Sequence, residues 1–119
     1  AASVASALAA LDVIETEPER RARLWENTSR MQEGLRSLGY DIGQSETPII
    51  PIQVGEMERM LVFWKELFDA GVFSNPVTPP AVGENSWRLR ISVLAPHTAE
   101  QIDFALDVFA SIGKRVAVL

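Results

Sequence analysis

Apolar residues recur along this chain at two spacings. Leu24, Thr28, Met31, Leu35 and Leu38 fall at steps of three and four, a spacing that predicts one buried helix stripe. The opposite side, with Arg21, Glu26, Arg30 and Glu33, reads as a solvated face. Thr16 and Glu19 have capping-box spacing, Pro18 suits a first turn, and Gly39 suits the stop. Upstream, residues 2–15 are dominated by Ala and favour helix by propensity. A third helix is predicted over 55–71, with Met57, Met60, Leu61, Trp64, Leu67 and Phe68 on its inner face and Gly71 closing it. A fourth begins at Thr98, boxed with Gln101, and turns Ile102, Ala105, Phe109 and Ile112 inward until Gly113 starts to end it.

The second spacing is two. In SWRLRISV (86–93), Trp87, Leu89, Ile91 and Val93 point one way, while Arg88, Arg90 and Ser92 point the other. TPIIPIQV (47–54) is a short apolar strand, and Pro51 marks it as an edge or a gap in pairing. VFSNPV (72–77) is a third strand, followed by the loop TPPAVGEN (78–85), stiff at Pro79 and Pro80 and released at Gly83. The order α, α, β, α, β, β, α predicts an α+β domain: a small, mostly antiparallel three-stranded sheet with helices on one face.

Composition narrows the chemistry. With 119 residues, 47% hydrophobic and 23% charged, the chain has the size and make-up of one globular domain. A net charge of −5 argues against nucleic acid or an anionic membrane surface as a partner. No run of 18 apolar residues exists, so no transmembrane segment is expected. Without cysteine and with only His97, neither thiolate chemistry nor a multi-histidine metal site is available, and metal ligands are not expected. The lack of cysteine fits a cytoplasmic protein. AASVASALAALDVIE lacks an initiator Met and a basic leader, and reads as a helix that begins partway along a longer chain.

Few groups are suited to catalysis. His97 directly precedes a helix cap, where local hydrogen bonding explains it. No nucleophile elbow or glycine-rich phosphate loop is present. Glu56 and Glu58 sit at a helix start, where the dipole favours them. The amines Lys65 and Lys114 occupy polar helix positions. Arg88 and Arg90 remain, and two readings stay open. They are either plain solvent-facing residues, or a permanently charged planar fork for a carboxylate, held by a strand beside a stiff loop.

The stretch NPVTPPAV…RLRISVLAPHTAEQIDFALDVFASIGK, with ASVASALAALDVIETEPERRARLWEN and TPIIPIQVGE before it, resembles the C-terminal part of the α-oxoamine synthases. The resemblance implies the C-terminal domain of a type I pyridoxal-phosphate (PLP) transferase fold. Residues 1–38 would be a helical connection from a large domain and 39–119 the small domain. It implies a parent that condenses glycine, serine or alanine with an acyl-CoA, losing CO2 and CoA, as a cytoplasmic homodimer. Arg90 matches the residue that grips the amino-acid carboxylate, and Thr78, Pro79, Pro80 and Ala81 match a substrate loop. Here PPAVG replaces the commoner PPAVP or PPATP, which implies a more flexible loop. Neither Lys65 nor Lys114 matches the family's cofactor lysine. The chain alone is therefore expected to bind no PLP and to contain no catalytic residue. The alternative is a stand-alone, non-enzymatic interaction domain of the same fold.

Overall fold

A computed structural model describes residues 1–119. Four helices and three strands follow in order: α1 (Ala2–Thr16), α2 (Pro18–Leu38), β1 (Ile49–Gly55), α3 (Met57–Asp69), β2 (Asn75–Val77), β3 (Trp87–Ser92) and α4 (Ala99–Arg115). The sheet is antiparallel throughout, in the order β1-β3-β2, so the expected α+β architecture is the one observed. β1 is an edge strand, as its proline requires.

Register decides which side chains meet. Ile50 pairs with Ile91 and Ile52 with Leu89, and all four are buried. α3 lies against all three strands, and α4 packs beside α3 and α2. Together with Met31, Leu35, Met60, Phe63, Leu67, Ile102 and Phe109 these residues form one core. Tyr40, Phe63 and Phe109 meet at its centre with ring centroids 5.7–5.9 Å apart, a spacing favourable for aromatic pairs.

The structure corrects four expectations about helix ends, a helix face and a strand. Thr16 does not cap α2: it is the last residue of α1, and its hydroxyl donates to the Asp12 carbonyl at 2.6 Å. Glu17 takes the cap position without a side-chain cap bond, and pairs instead with Arg20. Competition between local hydrogen bonds explains the change, since Thr bonds a carbonyl four residues back as readily as a downstream N–H. On α3 the inner face is rotated from the expected one. Met60, Phe63 and Leu67 are buried, Trp64 is half-buried, and Met57, Leu61 and Phe68 are exposed. Gly113 lies inside α4, which runs on to Arg115. The strand expected over 72–77 is hydrogen-bonded only from Asn75.

Other expectations hold. Gly39 and Gly71 adopt φ of 100° and 90° just past α2 and α3, left-handed geometry that glycine reaches without strain. Thr98 and Gln101 form the reciprocal capping box on α4.

Candidate functional site

The sheet has one covered and one uncovered face. Helices α2, α3 and α4 take the side bearing Ile50, Ile52, Leu89 and Ile91. Alternation along the strands then sends Arg88, Arg90 and Ser92 to the other side. Cross-strand register adds Pro51 and Gln53 from β1 and Asn75 and Val77 from β2. Arg90 therefore sits mid-sheet, flanked by Pro51 and Asn75, and Arg88 sits between Gln53 and Val77.

The two arginines differ in setting. Arg88 is half-buried, and its Nε donates to the Ser86 carbonyl at 3.1 Å. Arg90 is exposed and takes part in no ion pair or side-chain hydrogen bond within the chain. A depression of about 570 Å3 spans both, with the loop at Gly43, Gln44 and Ser45 as its wall. Pattern reasoning found the arginines but missed Gln53 and Asn75. A polar residue within each apolar run was the available signal, and only the register turns it into a neighbour.

The proline loop starts where β2 ends, so Val77 places it beside Arg88. Thr78 to Ala81 form a tight turn in which the Ala81 N–H donates to the Thr78 carbonyl at 3.0 Å. Thr78 and Pro79 are half-buried; Pro80 and Ala81 face solvent. The left-handed residue of the return is Asn85, with φ 65°, rather than Gly83. The Ser86 N–H donates to the Gly83 carbonyl at 3.1 Å, and Arg88 in turn holds Ser86. The far end of the loop is thus tied to the arginine strand.

A larger groove of about 650 Å3 opens on the other flank of Arg90, between the 71–75 segment and the start of α4. Its wall includes Val72, Phe73, Ile91, Phe104 and His97. His97 has the local role expected of it: its Nδ1 accepts from the Leu94 N–H at 3.2 Å. Asn27 of α2 clamps the same turn by donating to the carbonyls of Leu94 and His97, at 3.1 and 2.9 Å.

An aldehyde cofactor such as PLP needs an amine to hold it covalently. Lys65 is exposed on the outer side of α3 and pairs with Asp69, and Lys114 is exposed near the end of α4. Neither belongs to the face that carries Arg90, so these residues do not fit a covalent site for that group. No group of His, Asp and Glu side chains is arranged to hold a metal ion, and no helix is long and apolar enough to cross a membrane.

Comparison with known proteins gives a consistent picture. Residues 1–109 match the family described as aminotransferase class I and II. An 8-amino-7-oxononanoate synthase of Thermosipho melanesiensis is 38% identical over 118 residues, and a serine palmitoyltransferase of Bacteroides thetaiotaomicron 42% over 118. Each alignment takes in 99% of this chain and 30% of the relative. Among solved structures, a serine palmitoyltransferase variant from S. paucimobilis with a bound PLP–myriocin aldimine superposes with a TM-score of 0.90 at 33% identity. That superposition covers 98% of this chain and 30% of the other. The chain spans about a third of the length of the relatives it matches.

Proposed function

Since the chain belongs to the aminotransferase class I and II family, among relatives of the α-oxoamine synthase type, we propose that it is the small domain of a PLP-dependent acyltransferase. In this reading the parent condenses a small amino acid (glycine, serine or alanine) with an acyl-CoA, and releases CO2 and CoA. A larger domain of the parent, in a cytoplasmic homodimer, holds the cofactor.

The contribution of this chain is recognition. Arg90 grips the carboxylate of the amino acid with its guanidinium fork. The observation that carries this is the position of Arg90: exposed in the middle of the uncovered sheet face and free of any acidic partner. A strand paired on both sides holds the backbone of Arg90 firmly, which favours precise positioning of the bound carboxylate. The turn from Thr78 to Ala81, which starts beside Arg88 at the end of β2, serves as the substrate loop of the parent.

Mutation of Arg90 in the cofactor-loaded parent tests the reading, with amino-acid affinity followed by the cofactor's absorbance. A gene that encodes only these residues, with no larger domain, would overturn the proposed parent.

A further inference from the structure

The uncovered face of the sheet carries two cations and no acid. Arg88 and Arg90 are two residues apart on one strand, about 7 Å between Cα atoms. Their cross-strand neighbours are Pro51, Gln53, Asn75 and Val77. The chain has 16 acidic residues against 11 basic ones. Its five ion pairs engage Arg20, Arg30, Arg59, Lys65 and Arg115, and neither strand arginine. Two like charges held side by side repel one another, and a bound counter-charge relieves that repulsion. Both arginines line the same depression, with the amide of Gln53 beside Arg88. The Ser86 carbonyl uses only the Nε of Arg88, which leaves its two terminal amino groups for a ligand.

We propose that Arg88 and Arg90 form a two-point anion site for a small dianion, a dicarboxylate or a phosphate. The proposal rests on the carboxylate reading of Arg90 and adds a competitor. A singly charged carboxylate engages Arg90 alone, whereas a second anionic group reaches Arg88 as well. In the parent, such a dianion would then displace the amino acid.

Titration of the isotope-labelled 119-residue chain with acetate, succinate and inorganic phosphate, at constant ionic strength, tests this by NMR of the arginine guanidinium signals. Acetate is expected to shift Arg90 alone, and succinate or phosphate to shift both arginines. The two dianion arms distinguish a dicarboxylate from a phosphate as the better ligand. Arg88→Gln should weaken dianion binding about fivefold, as befits a half-buried, solvent-screened charge contact, and leave acetate unchanged. Arg88→Lys should fall between. A dianion affinity unaffected by Arg88→Gln, or an Arg88 signal that neither dianion moves, would overturn the two-point site while leaving Arg90's own role intact. Failure of all three anions to move Arg90 would count against both readings.

Discussion

Tyr40 reaches through the space that a side chain on Gly113 would fill and donates its hydroxyl to the Phe109 carbonyl at 2.7 Å. A methyl group at residue 113 would overlap that hydroxyl and stand 3.0 Å from Leu119 Cδ1. The glycine is therefore a packing residue within a helix rather than a stop signal. Helix propensity alone would favour alanine there by up to about 1 kcal/mol, but overpacking costs about 1–3 kcal/mol. Gly113→Ala should lower stability in urea unfolding. Tyr40→Phe alone should cost about 1 kcal/mol for the lost hydrogen bond. The double variant should cost less than the sum, because removal of the hydroxyl relieves part of the overlap. Strict additivity would show that the two residues do not interact.

The same tyrosine makes the fold sensitive to alkali. Burial pushes its phenol well above the ordinary value of 10.0. On raising the pH, the unfolded chain loses this proton first. The contribution is thus complete below about pH 10 and declines as the pH rises toward the folded-state value. The stability of the wild type should fall more steeply between pH 9 and 11 than that of Tyr40→Phe, as followed by urea unfolding at each pH. Parallel curves would contradict the assignment.

At the acid end, Arg30 grips Asp103 with two hydrogen bonds of 2.8 and 2.6 Å, joining α2 to α4. Those bonds hold the Asp103 carboxyl below its ordinary value of 3.8. Because the folded value is the lower one, the stabilisation is present above the ordinary value and is lost as the pH falls through the folded one. Both side chains are half-exposed, so the effect is small. Asp103→Asn should reduce the difference between the urea midpoints at pH 7 and pH 3. An unchanged difference would mean that the pair contributes nothing.

α1 buries none of its residues. Val4, Leu8, Leu11 and Ile14 line one side of it, each 55–63% exposed. Exposed apolar stripes tend to associate, yet four half-exposed side chains supply less than the roughly 1,000 Å2 of a stable pair. The chain should therefore self-associate weakly in sedimentation equilibrium at high concentration. Leu8→Glu with Leu11→Glu should abolish the association; a wild type that stays monomeric would refute it.

How far the sequence reaches can be seen residue by residue. The alternation of β3 correctly separates Leu89 and Ile91 from Arg88 and Arg90, because the period of two leaves a strand no other choice. The Thr98–Gln101 box is equally legible, since both partners are local. α3 is not: Phe63 is core and Phe68 is exposed, because apolar residues ring most of that helix and only the docked sheet selects among them. Asn75 and Gln53 were invisible as neighbours of the arginines until strand register placed them there. Gly113 reads as a helix end until Tyr40 arrives from far along the chain.

The central claim is that Arg90 holds a substrate carboxylate, and affinity in the parent enzyme tests it most directly. Titration of the cofactor-loaded parent with its amino acid, followed by absorbance, should show Arg90→Ala at least about tenfold weaker than wild type, the scale of a hydrogen bond to a charged group. Arg90→Lys should lie between the two, since a point charge cannot replace the planar fork. Equal affinity for Arg90→Ala and wild type would contradict the account.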